Sequence, residues 1–128
     1  MSYQNNYEWL GSFCLEQPYT TTDVQPEWNN ATRYFVGGKM FAMFHGDKYG
    51  KPVFTVKLEP FFGNLLRQQY SCIIPGYHMN KEHWNSLYLD GDAPDDTVRA
   101  MVQDAYRLVF NSLSKKTQKE LLGGSNNG

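Results

Sequence analysis

The chain has 128 residues, enough for one domain with its own core. Its 41% apolar share, with nine Tyr, eight Phe and three Trp, excludes a disordered chain. A formal net charge of −1 excludes a strongly basic duplex-binding domain, because phosphate neutralisation supplies much of that affinity. Any nucleic-acid contact therefore has to come from a local patch and be weak.

Helical spacing of Trp9, Leu10, Phe13 and Cys14 predicts a first helix over residues 3–17, stopped by Pro18. Residues 19–30 read as a loop with a short edge strand around 22–24. Runs at 33–36 and 39–44 flank Gly37-Gly38, a hairpin signal, since primed turns need positive φ. Simple alternation puts Met40, Ala42 and Phe44 on one face of the second run and Lys39, Phe41 and Met43 on the other. A longer turn at 46–52 leads to a strand at 53–58, with Phe54, Val56 and Leu58 toward the core.

Pro60 opens a short helix over 60–69. Strands at 72–74 and 84–89 then enclose a loop, with Trp84 expected to anchor that loop in the core. Asp90-Gly91 forms a turn. Asp95 and Asp96 suit the first turn of the next helix, which carries the apolar stripe Val98, Met101, Val102, Ala105, Leu108 and Val109. Ser114 can cap a last helix through Leu122.

These elements predict an α+β fold: a two-layer sandwich of an antiparallel β-meander with N- and C-terminal helices on one face. The other sheet face is expected to stay open to solvent or a partner. Residues 1–122 are read as a single domain and 123–128 as a flexible tail. Cys14 and Cys72 lie in apolar surroundings and read as buried free thiols. The N-terminal residues carry no basic, apolar leader, and no apolar run has bilayer-spanning length. A cytoplasmic monomer without membrane contact is the expectation.

Three segments carry a resemblance. They are Gly37-Gly38-Lys39-Met40-Phe41-Ala42, then Val56-Lys57-Leu58-Glu59-Pro60 with Leu65-Leu66-Arg67, then the run from Pro75 to Trp84 through Leu89-Asp90-Gly91 and the helix bearing Ala105-Tyr106. In this order and spacing they resemble the MmcQ/YjbR family of small bacterial proteins. The resemblance implies a fold like the bacterial frataxin homologue and DNA binding through a double wing of β-hairpins. Residues 19–30 lack the Phe-Pro-Phe-Gly type segment that many members show.

Taken residue by residue, the chemistry is sparse. His78 and His83 lack companion ligands nearby in sequence, so no metal is expected. His45 reads as a surface hairpin residue. Glu8 and Glu16 alone do not make the carboxylate ridge that iron binding on a frataxin-like fold needs. No nucleophile elbow, phosphate loop or dinucleotide fingerprint is present, and Ser71-Cys72 beside His78 reads as a buried thiol. The expectation is a protein without enzymatic activity or cofactor.

For DNA the candidate residues are Lys39, Lys48, Tyr49, Lys51, Lys57, Tyr77 and Lys81. Lysines on hairpins contact phosphates and tyrosines stack on bases or sugars. Asp47, Glu59, Glu82, Asp90 and Asp92 dilute the patch. The alternative is a protein- or small-ligand-binding module, without catalysis, using a pocket beside the 75–84 loop.

Overall fold

A computed structural model describes residues 4–76 and 80–123. In chain order the elements are α1 (Leu10–Glu16), β1 (Thr20–Gln25), a 3₁₀ turn (Pro26–Trp28), β2 (Ala31–Val36), β3 (Lys39–Gly46), β4 (Pro52–Lys57), α2 (Pro60–Gln69), β5 (Ile73–Pro75), β6 (Trp84–Tyr88), α3 (Asp95–Ser112) and α4 (Lys115–Gly123). The six strands form one sheet in the order β1-β2-β3-β4-β6-β5, and every pairing is antiparallel. The α+β architecture expected from the sequence is the one observed. Of the expected tail, Gly123 closes α4, and residues 124–128 lie outside the described residues.

One face of the sheet is covered by helices. Phe54, Val56 and Leu58 are fully buried there against Val98, Met101, Val102, Ala105 and Val109 of α3, as the periodicity predicts. Glu59 caps α2 by accepting the N–H of Phe62, and Ser114 caps α4 by accepting that of Thr117. No helix among the described residues is long and apolar enough to cross a membrane.

Five local expectations are corrected. The first helix begins at Leu10, not at residue 3. The Asn5 side chain accepts the Tyr7 N–H at 2.8 Å, and the Asn6 N–H donates to Leu89 O at 2.8 Å. Those bonds tie the segment to the end of β6 and compete with helical bonding.

The loop expected at 19–30 is a full six-residue edge strand followed by the 3₁₀ turn. Thr22 and Val24 do pair there, opposite Tyr34 and Thr32.

The alternation expected for β3 fails at Phe41. Tyr34 pairs with Ala42 but Phe35 with Met40, so Phe41 is the extra residue of a bulge. The bulge turns Phe41 into the helix-side core, where its ring meets Tyr106 edge-on at 5.6 Å.

The face away from the helices is not open at its centre. Met43, Val53, Thr55 and Ser86 are at most 5% exposed. By register the same face also carries Arg33, His45, Trp84 and Tyr88 around them.

Trp84 is half-buried on this second face, opposite Lys57, and not in the helix-side core. Trp84→Ala should accordingly cost only about 1–2 kcal/mol, less than a full core aromatic. A urea midpoint shift equivalent to more than twice that would return Trp84 to the core.

Candidate functional site

A cavity of about 690 Å³ opens on the second sheet face, between the 3₁₀ turn and the β3–β4 turn. Its described lining includes Trp28, Met43, His45 and Asp47. Local sequence explains its wall. Pro26 occupies the first 3₁₀ position, Gln25 accepts the Glu27 N–H, and Asn29 and Asn30 both adopt left-handed φ, at 56° and 62°. Asn tolerates that conformation better than most residues.

This geometry swings Trp28 back over β2. The Arg33 guanidinium sits 4.7 Å from the Trp28 ring centroid and 5.0 Å from that of Phe35. Arg33 is in turn held by Asp23 through two bonds of 2.8 and 2.6 Å. That contact holds the Asp23 carboxyl below its ordinary value. Trp28 is thus stacked on a fixed cation and still 47% exposed, a rigid aromatic wall.

Behind the cavity runs a chain of polar side chains. His45 Nδ1 lies 3.0 Å from Gly46 O, and Nε2 lies 2.6 Å from Thr55 Oγ1, which is 2.6 Å from Ser86 Oγ. A carbonyl only accepts, so Nδ1 carries the proton of the neutral ring. Nε2 then accepts from the Thr55 hydroxyl, and Thr55 accepts from Ser86. The Thr55 residue is fully buried, so the chain orients the imidazole rather than presenting a hydroxyl to a bound molecule.

Asp47 organises the β3–β4 turn. Its carboxylate accepts the N–H groups of Tyr49 and Lys51, both at 2.9 Å, and the Tyr88 hydroxyl at 2.9 Å. Partial burial pushes the carboxyl up, but those three bonds and the Lys51 charge outweigh it and hold the group below its ordinary 3.8. A lowered carboxyl stabilises the fold above the unfolded value and loses that contribution as pH falls through the folded one. Asp47→Asn should therefore flatten the stability loss seen below about pH 4, read as urea midpoints in acid and at neutrality. A variant with an acid limb as steep as the parent's would remove Asp47 from this role.

The expected DNA-contact residues do not form one patch. Lys48, Tyr49 and Lys51 lie at the β3–β4 turn, whereas Lys39, Lys57 and Lys81 lie toward the other end of the strands. A strand of this length separates those ends by roughly 20 Å. Lys57 is placed by register on the second face, and Lys39 opposite the helix-side residue Val36. Lys51 is ion-paired with Asp90 at 3.1 Å and sits 4.6 Å from the Tyr88 ring centroid. Lys48 lies 5.2 Å from the ring centroid of Tyr49, which is 79% exposed. Tyr77 and His78 lie outside the described residues.

The pocket expected beside the 75–84 loop is not where this cavity lies; it opens at the opposite end of β4. Sequence reasoning does not single out Trp28, Met43 and His45 as site residues. The usable signal is a tryptophan between Pro26 and Asn29-Asn30, a turn with an aromatic at its tip. Among the described residues no three His, Cys, Asp or Glu converge as metal ligands would.

The chain is similar to several known proteins. The YjbR family model matches residues 15–108. The uncharacterized protein YjbR of Escherichia coli (strain K12) is 34% identical over 113 residues, 88% of this chain and 94% of that protein. The uncharacterized protein YbdF of Escherichia coli O157:H7 is 32% identical over 126 residues, 97% of this chain and all of that one. Among solved structures, Deinococcus radiodurans protein DR2400, described by a DUF419 domain, superposes with a TM-score of 0.76 at 31% identity, covering 88% of this chain and 84% of that one. A Pseudomonas syringae protein shares the fold at a TM-score of 0.69 and 21% identity, covering 83% of this chain and 99% of its own. With the family match spanning most of the chain and these relatives aligned almost end to end, the chain belongs to the YjbR family.

Proposed function

We propose that this protein is a small-ligand-binding module, without catalysis, whose site is the cavity between the 3₁₀ turn and the β3–β4 turn. One observation carries the reading: the cavity has an aromatic wall and an apolar floor mounted on a sheet, the usual build of a ligand site. Its charge narrows the ligand. Glu27 and Asp47 line it, and no lysine or arginine does among the described residues. A molecule with an apolar body and a neutral or positively charged head fits that lining; an anion does not.

Thermal shift against shape-matched aromatic amines, amides and carboxylates tests this. A ligand at about 100 times its dissociation constant adds about 2.7 kcal/mol to native stability. Amines and amides should raise the melting temperature, carboxylates should not, and Trp28→Ala should abolish the shift. Uniform silence across the panel, or a preference for carboxylates, would overturn the reading.

A second reading is weak DNA contact, supported by the exposed Lys48–Tyr49 pair at a hairpin tip. With the lysines divided and Lys51 already paired, only one or two phosphates are within reach of that tip. The log–log salt slope should then be about −1 to −2. Lys48→Glu should remove retention on a DNA column at low salt. A parent protein that elutes in the void volume at low ionic strength would exclude this reading.

A further inference from the structure

The two edges of the sheet are built differently. At one edge β5 has three residues and ends on Pro75, whose nitrogen cannot donate. At the other edge β1 has six residues, with no proline, no lysine and no bulge in its pairing to β2. Natural sheets block such an edge with one of those devices, or cover it.

The β1 strand itself is also electrically quiet, and exposed apolar side chains stand at its margins beside Glu16 and Glu27. Its one ionisable residue, Asp23, is bound bidentately by Arg33 of the same chain. Eight large hydrophobic side chains are exposed among the described residues, and four of them come from this strand and its flanks. Val24 lies on the strand at 57% exposure, Leu15 on α1, Tyr19 just before β1 and Trp28 just after it. α1 packs on β1, so the margin and the edge belong to one surface.

We propose that β1 pairs antiparallel with β1 of a second copy of this chain, extending the sheet through a twofold axis. Self-pairing is the partner choice the geometry favours. A strand whose one charge is neutralised within its own chain can pair with its own copy without repulsion along the ladder. A head-to-tail contact would need β5, which is too short and ends in proline, so the assembly closes as a dimer. The strand is about 20 Å long, which places the interface at the small end for protein pairs and its dissociation constant in the micromolar range.

Sedimentation equilibrium from about 1 μM to about 500 μM, bracketing the micromolar range, tests the proposal. The weight-average mass should climb from 14.8 kDa toward twice that value. Thr22 and Val24 are exposed, so Thr22→Lys and Val24→Lys should each raise the dissociation constant at least about tenfold. The melting temperature of the dilute monomer should be unchanged for Val24→Lys and slightly lower for Thr22→Lys, which loses the 2.8 Å bond from its hydroxyl to Arg33 O. On the parent protein, the β1 amides should exchange more slowly at high concentration. A monomer throughout that range overturns the proposal. So does a dimer that survives both lysine variants, or one dissolved instead by Phe61→Glu on the exposed face of α2.

Discussion

Val102→Asp should lose at least about 4 kcal/mol of folding stability, the range of uncompensated buried charges. Val102 is fully buried in the middle of α3, within a stripe that includes Val98, Met101, Ala105 and Val109. An aspartate there would be surrounded by apolar neighbours from the sheet, among them Phe54 and Val56 of the same core cluster. Domains of this size are stable by only about 5–15 kcal/mol, so the variant sits at the margin of folding. Burial would raise the new carboxyl above its unfolded value, so the penalty is full at neutral pH and shrinks as pH falls through the raised value. Val102→Ala, which removes volume without adding charge, should cost about 2 kcal/mol. Urea midpoints for the pair at two pH values measure both effects. Equal losses for the two variants would mean that the position reaches water.

What the sequence makes legible are features set by local periodicity. The α3 stripe, the Gly37-Gly38 hairpin and the Pro60 helix start each depend on neighbours within one or two turns, and each stands where expected, except that Leu108 lies at the border of the stripe and outside the core cluster. What escapes depends on distant partners. The first helix starts late because Asn6 bonds Leu89 and Gly91, more than eighty residues away. Phe41 changes face because the pairing of β2 with β3 slips by one residue, which no alternation pattern announces. The lysines look like one group in sequence, but antiparallel folding sends them to opposite ends of β3 and β4. Trp28 becomes a cavity wall through a stack on Arg33, which Asp23 on the neighbouring strand fixes in place. His45 reads in sequence as a surface hairpin residue. It lines the cavity, bonded to a threonine that pairs across the sheet with Ser86.

Gly91→Ala carries the second large effect, and it rests on space rather than backbone conformation. Gly91 does not adopt a left-handed φ. A Cβ placed on it would lie 2.4 Å from Cys72 Cβ, 2.8 Å from Cys72 Sγ and 2.9 Å from Tyr88 O. Two of those three obstacles are backbone or adjoin it, so neither can rotate away. The surroundings are pinned as well. The Gly91 N–H donates to Tyr88 O at 3.0 Å, Gly91 O accepts from Asn6 Nδ2 at 2.8 Å, and the Tyr7 hydroxyl, which donates to Ala93 O at 2.8 Å, lies 3.2 Å from Gly91 O. Moving the turn outward would pull on the N-terminal segment that these bonds hold. Overpacking of this kind costs about 1–3 kcal/mol, and the rigid neighbours put this case at about 3. Gly38→Ala supplies the contrast. Gly38 has φ of +82°, and a methyl group there would meet nothing within 4 Å, so only the left-handed conformation is penalised, by about 1 kcal/mol. A double-mutant cycle of Gly91→Ala with Cys72→Gly should show a favourable coupling of about 1 kcal/mol, since it removes the Cys72 obstacle but leaves Tyr88 O in place. If Gly91→Ala costs no more than Gly38→Ala, the turn gives way freely and the N-terminal clamp on it contributes little.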